Sequence, residues 1–183
     1  MAQKVSLFIP CFIDRLFPDT GVAALKILQH LGCEVTYAAQ QTCCGQPAFN
    51  SGYFDKAAQL AVKALNIFHD ADYVVAPSGS CVTMVKQLYG ELPLPESLRK
   101  DWLQWRKRVF ELSEFIVTVL GVEKWTGTFP ATVTYHDACH ALRELRIKEQ
   151  PRQLLTSIKG LNLLEMENSE ICCGFGGTFS VKF

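Results

Sequence analysis

The chain has 183 residues, of which 49% are hydrophobic and 20% are charged, a composition typical of a globular protein with a buried core. Lysine and arginine balance aspartate and glutamate at 18 each, so no basic face predicts binding to nucleic acid or to an anionic membrane. The apolar runs end within about ten residues, too short for a membrane span, and no signal peptide is evident, so we expect a cytoplasmic protein.

The first half of the chain predicts alternating strands and helices. Segments rich in valine, isoleucine and phenylalanine predict the strands, and apolar residues at helical spacing predict the helices. In chain order we expect a strand over 4–10, a helix over 21–31, a strand over 34–38, a helix over 54–69, a strand over 72–76 and a helix over 82–89. Gly32 is expected to end the first helix as a C-terminal cap.

The second half predicts a connector and then a shorter series of elements. Its expected parts are a linker over 91–98, a long helix over 101–120 that is either continuous or broken near Glu111, a strand over 131–135, a helix over 152–158 that Gly160 ends, and an extended segment over 161–166. Trp102, Trp105 and Phe110 are expected to cover the core or a subunit contact rather than a cofactor.

An internal repeat organises the cysteines. Cys43-Cys44-Gly45 returns as Cys172-Cys173-Gly174, with 31 residues between Cys11 and the first pair and 32 between Cys139 and the second. In each case a glycine lies 21 residues after the single cysteine. Strand, cysteine, helix, glycine, strand and cysteine pair therefore recur in one order at nearly one spacing, which predicts two homologous β/α units.

We therefore predict an α/β fold of two pseudo-repeated β/α units with small, mainly parallel sheets and an incomplete second unit. The predicted divisions are a first unit over 1–98, a connecting helix and junction over 99–130 and a partial second unit over 131–183. Cys81 follows the first pair, but no equivalent cysteine follows the second. At this point the chain is either a fragment, a truncated product or completed by a partner, and we expect exposed apolar surface near its C-terminus.

The eight cysteines of this chain point to metal or redox chemistry, because the cytosol keeps thiols reduced and disfavours disulfides. Thiolates bind zinc, copper(I) and iron–sulfur clusters. Structural zinc sites usually use closely spaced but not adjacent cysteines, and adjacent side chains on an extended strand point in opposite directions. The two pairs therefore suit a larger object with several metal atoms, which the following glycines would let approach the backbone closely.

Seven cysteines form two predicted sites near the carboxyl ends of strands, where ligands gather in open α/β sheets. Site one consists of Cys11, Cys43, Cys44 and Cys81, and site two consists of Cys139, Cys172 and Cys173. The plainer alternative is that they are buried small hydrophobic side chains, as free cysteine often is. We adopt that interpretation for Cys33, which lies outside the repeat and is expected in the core.

Polar residues beside Cys139 are further candidates. His136 and His140 flank it and would bind metal, tune a cluster through hydrogen bonds or move protons, with polar packing as the alternative. Asp137 is expected to cap the helix that follows. A thiol enzyme based on Cys139 is a weaker option, because no other cysteine has an evident base. The segment Phe175-Gly176-Gly177 lacks the context of a dinucleotide-binding loop.

Five short segments resemble a known family. They are Ile9-Pro10-Cys11, Cys43-Cys44-Gly45-Gln46-Pro47, Pro77-Ser78-Gly79-Ser80-Cys81, His136-Asp137-Ala138-Cys139-His140 and Cys172-Cys173-Gly174-Phe175-Gly176-Gly177-Thr178-Phe179. Together they resemble the cysteine-rich Cys-Cys-Gly domain that occurs in heterodisulfide reductase, in glycolate oxidase iron–sulfur subunits and in the lactate-utilisation proteins, most closely the lactate-utilisation protein A branch. The resemblance covers the whole chain.

This resemblance implies iron–sulfur binding, with non-cubane [4Fe-4S] clusters in related subunits. It also implies a part in oxidising L-lactate, a small 2-hydroxy acid, to pyruvate, as one subunit of a multi-protein cytosolic oxidoreductase in a lactate-utilisation complex. The family's motif continues with Cys-x-x-Cys, and Ser78 stands here in place of its first cysteine. Ser78, His136 and His140 are therefore candidates for contacts just outside the metal ligands, and the sequence identifies no catalytic residue.

The alternative to a redox subunit is a non-redox module in which the cysteines bind zinc structurally and the chain acts as an assembly subunit. The departures from the family motif favour this alternative, and the adjacent cysteines argue against it. Colour separates the two, because an iron–sulfur protein is brown and a zinc protein is colourless.

Overall fold

Parallel strands order the structure, a computed structural model that describes residues 2–174 and Gly176. The strands in chain order are β1 Lys4–Leu7, β2 Glu34–Tyr37, β3 Tyr73–Ala76, β4 Val109–Glu111, β5 Thr128–Val133 and β6 Lys159–Leu163. The first four form a sheet in the order β2-β1-β3-β4, the last two form a second sheet, and each of these pairings is parallel. The predicted α/β class with small parallel sheets is confirmed.

Helices follow most of these strands. They are α1 Cys11–Leu16, α2 Pro18–His30, α3 Gln46–Asn50, α4 Phe54–Phe68, α5 Gly79–Lys86, α6 Glu96–Trp105, α7 Leu112–Glu114, α8 Cys139–Arg143 and α9 Glu149–Ser157. Two 3₁₀ turns, at Leu88–Glu91 and Arg106–Arg108, and a π-helical turn at Phe115–Val119 join them. Gly32 follows the end of α2 with a φ of +81°, which confirms its predicted place as a cap.

The centre of the main sheet is covered on both faces, and successive side chains along a strand point to opposite faces. On one face Leu7 and Val75 pack with Leu28 of α2. On the other face Val74 and Ala76 pack among side chains of α4, α5 and α6. All five residues are at most 2% exposed. The central strand β3 therefore carries a continuous apolar run, whereas β1 and β2 alternate polar and apolar residues.

The tryptophans predicted to cover the core do so. Trp102 and Trp105 are 4% and 2% exposed and lie in the cluster between the sheet, α4 and α6. The Trp102 indole N–H donates to the Val85 carbonyl at 2.7 Å, and that of Trp105 donates to the Phe68 carbonyl at 3.0 Å. Cys33 is also buried, on the opposite face of the sheet, which confirms its predicted core position.

The prediction of one long helix over 101–120 is wrong. The α6 helix ends at Trp105, and β4 follows shortly after it, with a fully buried Val109 and a parallel pairing to β3. A strand of three residues is too short to display an alternating pattern, and its pairing overrides the helical tendency of its neighbours. The predicted break near Glu111 is real, because this carboxylate caps α7. The predicted connector thus contributes a strand to the first sheet, while the unit boundaries stay predictions.

The second unit repeats the first element by element. The order β5-α8-α9-β6 matches the order β1-α1-α2-β2. Residues 30 positions apart are paired in both sheets, as Lys4 is with Glu34 and Ala131 is with Leu161. Both α1 and α8 are short helices whose first residue is a cysteine. The repeat inferred from the cysteine spacing is therefore present in the backbone.

Gly160 occupies a different position from the one predicted. The α9 helix ends at Ser157, and Gly160 is the second residue of β6 rather than the helix cap. Its φ of +82° nearly equals that of Gly32, its counterpart in the repeat. A β-carbon on Gly160 would approach the Pro130 Cα to 3.3 Å, so both the backbone angle and the neighbouring strand favour glycine.

The two units contact each other through α5 and α8. Gly79, at the start of α5, lies so close to α8 that a β-carbon on it would approach the Ala141 β-carbon to 2.8 Å. At the other end of α5 the Gln87 side-chain amide donates to the Glu144 carbonyl at 2.6 Å. The first turns of the two helices therefore lie side by side, and each turn carries one cysteine of a predicted site.

Large apolar side chains are exposed in both parts of the chain, among them Leu16 at 60% and Tyr53 at 64% in the first part, so the apolar surface expected near the C-terminus stays a prediction. Phe129, Leu164 and Ile171 are each more than half exposed, at 54%, 55% and 61%. No helix in residues 2–174 combines the length and the apolar character needed to cross a membrane.

Candidate metal centre

The four cysteines of site one converge at one edge of the main sheet. Cys11 is the first residue of α1, directly beyond β1, and Cys81 lies in the first turn of α5, just beyond β3. Cys43 and Cys44 lie in the loop that leads from β2 to α3. Because β2, β1 and β3 are neighbouring parallel strands, their carboxyl ends bring these loops to the same place.

The Cys-Cys-Gly segment forms a tight turn. Gly45 has a φ of +92°, and its N–H donates to the Cys43 sulfur at 3.4 Å. A β-carbon on Gly45 would approach the Ala57 carbonyl oxygen to 3.3 Å, so both the backbone angle and the packing against α4 require glycine. The turn thereby presents Cys43 at the surface of the cavity and folds Cys44 inward, where it is 2% exposed.

Hydrogen bonds divide the protons unequally between Cys11 and Cys43. Hydrogen bonds from the Cys11 and Cys44 thiols and from the Gly45 N–H lower the pKa of Cys43 to about 3. The same bond raises the pKa of Cys11, because a donating thiol must keep its proton, and burial adds to this effect. Without metal, Cys43 is therefore a thiolate at neutral pH and Cys11 is a thiol.

Cys44 and Cys81 form a second unequal pair. Hydrogen bonds with Cys43 and Cys81, together with burial, raise the pKa of Cys44. The bond from Cys44 lowers the pKa of Cys81, and the hydroxyls of Ser78 and Ser80 lower it further against the effect of burial. Site one therefore contains two cysteines with lowered pKa values and two with raised ones.

A cavity of about 630 Å³ lies over these thiols. Its lining consists of Pro10, Cys11, Phe12, Ile13, Arg15, Leu16, Cys43, Cys44, Gln46, Pro47, Ser78, Ser80 and Cys81. Cys44 and Cys81 are buried at its base, whereas Cys11 is exposed at its mouth. The cavity is therefore closed on the protein side and open to solvent beside α1.

Two side chains that the sequence did not single out fix this site from behind. The fully buried Tyr89 hydroxyl donates to the Cys44 carbonyl at 2.9 Å. The Gln41 side chain bridges the loop to β1, because its oxygen accepts from the Ile9 N–H at 2.8 Å and its amide donates to the Leu7 carbonyl at 3.3 Å. Gln41 lies two residues before the pair, but no local pattern marks either residue.

Site two has the same local geometry in a more exposed setting. Cys139 begins α8, and Gly174 has a φ of +73° with its N–H donating to the Cys172 sulfur at 3.4 Å. The Gly174 N–H and a bond from the Cys139 thiol lower the pKa of Cys172, and the same bond raises the pKa of Cys139. Cys172 and Cys173 are exposed, in contrast to Cys44.

The histidines beside Cys139 have different surroundings. The His136 ring nitrogen Nε2 lies 3.0 Å from the Ile171 carbonyl, so this ring ties the loop after β5 to the residue before the second pair. The His140 carbonyl accepts from the Thr83 hydroxyl at 3.4 Å, which links α8 to α5. Both histidines also line a second cavity, of about 680 Å³, together with the cysteines of site two.

Asp137 does not cap the following helix as predicted. Ala138 is the N-cap of α8, and no side chain caps it. The buried Asp137 carboxylate instead binds the Arg152 guanidinium through two bonds of 2.7 and 2.8 Å and accepts from the Ser169 hydroxyl at 2.9 Å. These bonds lower the pKa of Asp137. A cation from α9 outcompetes the local amides because it offers a charge-assisted, two-pronged contact.

Arg152 connects this loop to the segment that leads to site two. Its guanidinium also binds the Glu165 carboxylate at 2.7 and 3.0 Å and lies over the Tyr135 ring. The Asp137 N–H donates to the Ser169 carbonyl at 3.0 Å, which joins the same two segments through the backbone. In the first unit the neutral Gln41 amide joins the cysteine-pair loop to the end of the first strand. In the second unit an ionic network makes the corresponding connection.

The two cavities share part of their lining. Gln46, Ser78 and Ser80 border both of them. Ser78 is the N-cap of α5 and accepts from the Cys81 N–H at 3.4 Å, so it holds the helix turn that carries a cysteine of site one. The predicted candidate Ser78 thus lies between the sites.

Within the described residues no group of three or more histidine, cysteine, aspartate or glutamate side chains is arranged to hold a single metal ion. The predicted segment Phe175-Gly176-Gly177 lies outside the described residues except for Gly176. The structure therefore brings the seven repeat cysteines together as two groups on adjoining cavities, and it leaves Cys33 apart.

Comparison with known proteins agrees with this arrangement. A family model described as the cysteine-rich domain, CCG, matches residues 5–86 and 133–183 of the chain. The two matched ranges contain all seven repeat cysteines; the first ends with α5, and the second begins at the last residue of β5. The predicted resemblance to the Cys-Cys-Gly domain is confirmed.

Individual relatives are similar along nearly the whole chain. Lactate utilization protein A of Oceanobacillus iheyensis is 46% identical over 184 residues, which cover 98% of this chain and 74% of that protein. The protein of the same name from Geobacillus thermodenitrificans is 46% identical, with 98% and 75% covered. That from Bacillus subtilis is 42% identical, with 98% and 76% covered.

Proposed function

Because the chain belongs to the cysteine-rich CCG domain family, we propose that it is an iron–sulfur-binding subunit with a role in lactate utilisation. The observation that carries the proposal is the convergence of Cys11, Cys43, Cys44 and Cys81 on one cavity at the carboxyl edge of a parallel sheet. Thiolates arranged in this way are the usual protein ligands of iron–sulfur clusters.

The residues of site one fit such a cluster in number and chemistry. Its strong metal donors are four sulfurs, which come from three separate loops and so surround a volume rather than a point. Adjacent cysteines cannot readily chelate one ion, whereas a cluster of several metal atoms offers each of them a separate atom. We therefore propose a cluster, of the [4Fe-4S] type, and regard zinc as the alternative.

The protonation of site one supports the same conclusion. Cys43 and Cys81 have lowered pKa values, and Cys11 and Cys44 have raised ones, so the metal-free site keeps thiol protons that metal would have to displace. Positive metal atoms would replace these protons and neutralise the four thiolates, which otherwise repel one another. When bound, the cluster would supply the ability to accept and release single electrons.

The second site is proposed as a further metal-binding position. Cys139, Cys172 and Cys173 would be its sulfur ligands. His136 would orient the loop of the pair through its bond to the Ile171 carbonyl, and His140 borders the same cavity. The exposed setting of the pair predicts a more labile site than site one.

The substrate part of the proposal comes from the relatives, whose names refer to lactate utilisation. We propose that the chain serves in oxidising L-lactate, or a similar small 2-hydroxy acid such as glycolate, as one subunit of a cytoplasmic oxidoreductase. Other subunits of a lactate-utilisation complex would be its partners. Oxidation of a 2-hydroxy acid to a 2-oxo acid releases two electrons and two protons, which suits a chain with two single-electron sites.

Metal analysis of protein purified without oxygen tests the cofactor. We expect a brown protein with broad absorption at roughly 400 nm and about four irons and four sulfides for site one. Cys11→Ser and Cys43→Ser should lose the part of this absorption that site one contributes, whereas Cys33→Ser, a change at a buried cysteine outside both sites, should keep all of it. A colourless protein with stoichiometric zinc would overturn the redox proposal and leave a structural metal site.

A second experiment tests the substrate. The chain is isolated under anaerobic conditions with the proteins that co-purify with it, and L-lactate, D-lactate or glycolate is added. Bleaching of the visible absorption by L-lactate, and its loss in the Cys11→Ser variant, would support the proposal. Bleaching by another 2-hydroxy acid alone would reassign the substrate, and bleaching by none of them would remove the substrate part.

A further inference from the structure

A single layer of side chains separates the two cysteine cavities. Gln46, Ser78 and Ser80 border both of them. Of these three residues, Gln46 is the one that comes from the first cysteine-pair turn, while the two serines come from the start of α5. The layer therefore joins two elements of the first unit at the place where the second unit meets them.

The Gln46 side chain links these two elements, in addition to the hydrogen bond between Cys44 and Cys81. It is 5% exposed, and its amide Nε2 donates to the Ser80 carbonyl at 3.3 Å. A buried amide is costly to desolvate unless it is hydrogen-bonded. Core packing alone would therefore favour an apolar residue at position 46. Gln46 thereby holds the start of α5 against the turn that carries Cys43 and Cys44.

The segment held by Gln46 faces site one on one side. Ser80 and Ser78 have their hydroxyls 3.3 Å apart, and the Ser78 hydroxyl accepts from the Cys81 N–H. Displacement of this helix turn would therefore move Cys81 relative to the other three thiols. The bond from the Cys81 N–H to the Ser78 hydroxyl also helps to fix the position of the Cys81 sulfur.

The same segment faces site two on its other side. Gly79 packs against Ala141 of α8 without room for a methyl group between them. Two residues before Ala141, Cys139 opens α8 and contributes to the second cavity. A shift of the first turn of α5 would therefore be transmitted to α8 by direct packing.

The turn after a cysteine pair does not itself need an amide at this position. In the second unit the residue that follows Cys172-Cys173-Gly174 is Phe175, whereas the residue after Gly45 is Gln46. Both turns have glycine at positive φ and the same N–H to sulfur contact. The amide of Gln46 is thus an addition to the repeated turn, placed at the junction of the sites.

We propose that Gln46 is a positioning residue for both cysteine sites, which it couples by fixing the first turn of α5 between them. The inference rests on the proposed function, because it treats both cysteine groups as metal sites. Its specific content is that one side chain, attached to site one in sequence, also determines how well site two holds its ligand.

The test uses the 183-residue chain with only one of the two sites left intact. Cys139→Ser with Cys172→Ser leaves site one, and Cys11→Ser with Cys43→Ser leaves site two. Each chain is reconstituted anaerobically with iron and sulfide, and loss of iron to a chelator is followed by absorbance. Gln46→Met should accelerate iron loss about two- to tenfold in both backgrounds, the change expected from one partly buried hydrogen bond.

A matched control is available on the same helix. Gln87 also donates its side-chain amide to a backbone carbonyl, at the far end of α5, but it borders neither cavity. Gln87→Met should leave iron loss from both sites unchanged. An effect of Gln46→Met on only one site, or an equal effect of Gln87→Met, would overturn the coupling. If Gln46→Met does not fold, Gln46→Glu replaces it in the test, because glutamate keeps the shape of the side chain and removes the amide donor.

Failure of the proposed function is distinguishable from failure of this inference. If neither single-site chain binds iron while Gln46 is intact, the cofactor proposal fails. Coupling is then read from the metal-free chain, as the rate at which iodoacetamide alkylates Cys81 and Cys139, measured by mass spectrometry. Gln46→Met should accelerate both reactions and Gln87→Met neither, and acceleration at a single cysteine would overturn the inference.

Discussion

The two cysteine-pair turns share a backbone but not an environment. Gly45 and Gly174 have φ values of +92° and +73°, and each donates its N–H to the first sulfur of its pair at 3.4 Å. Cys44 is nevertheless 2% exposed, whereas Cys173 is exposed. The same short sequence therefore forms the same turn in both units, and the surrounding elements decide how much water reaches it.

The means of support differ as well. Neutral groups hold the first turn, namely the Gln41 amide and the Tyr89 hydroxyl. Charged groups hold the second, where Arg152 joins Asp137 to Glu165. A neutral bond suits a site enclosed by the core, because buried charges are costly unless fully paired. The comparison predicts that the hydrogen bonds supporting the first turn are insensitive to pH and that the support of the second turn depends on its ion network.

The largest expected effect separates the buried pair from the exposed one. Cys44→Ser should remove nearly all iron from site one, because it takes away an enclosed ligand that no neighbouring side chain can replace. Cys173→Ser should leave the site-one absorption intact, since its side chain belongs to the other cavity. Iron and sulfide per chain, with circular dichroism to verify folding, are the measurements. Equal losses in both variants would contradict the division into two sites.

The next effect concerns the ion network. Arg152→Met leaves the buried Asp137 carboxylate without its cation, and we expect the free energy of unfolding to fall by about 3 kcal/mol. Urea unfolding of the metal-free chain measures this change. Lys107→Met is the control, because Lys107 makes an exposed contact with Gln104 and should change stability by less than about 0.5 kcal/mol. Similar values for the two variants would show that the network is dispensable.

A third effect tests the contact between the units. Gly79→Ala should destabilise the chain by about 2 kcal/mol, because its methyl group would lie 2.8 Å from the Ala141 β-carbon. Gly21→Ala is the matched control in α2, where the added carbon would meet Ile9 at an ordinary 3.4 Å. That change should be neutral or stabilising, because alanine favours helix. Thermal unfolding of both variants measures these changes in stability. If Gly79→Ala does not lower the stability, α5 and α8 are not tightly packed.

The smallest expected effect is a pH dependence confined to the second unit. Arg152 lowers the pKa of Asp137 below its ordinary value near 4, so the ion pair contributes fully above that value and is lost as pH falls through the folded pKa. The stability difference between wild type and Arg152→Met should therefore shrink as pH falls from about 6 to about 3. Urea unfolding across this range measures it. A constant difference would mean that Arg152 acts through packing alone.

Prediction from sequence succeeded where the signal was local. The cysteine spacing revealed the repeat, and the helical spacing of apolar residues placed α2 and α4 within a few residues of their bounds. It failed over 101–120, because β4 is a three-residue strand that forms through its pairing with β3. It also failed at Asp137, whose partner Arg152 lies 15 residues away on another helix.

The sites show the same division. Sequence alone grouped the seven repeat cysteines, and the structure places them on two cavities in those groups. Their roles as metal ligands stay predictions. Gln41, Gln46 and Tyr89 were not recognised as supports, because each acts through hydrogen bonds to distant backbone atoms and carries no local pattern.

The amino-acid sequence by itself determined the class of fold, the repeated turn and the grouping of the thiols, because strand periodicity, positive-φ glycines and adjacent cysteines act over a few residues. Only the tertiary structure decided which pair is enclosed and that the two cavities share Gln46 and the start of α5. Those properties depend on how the parallel strands and the α5–α8 contact bring distant segments together, which no short stretch of sequence encodes.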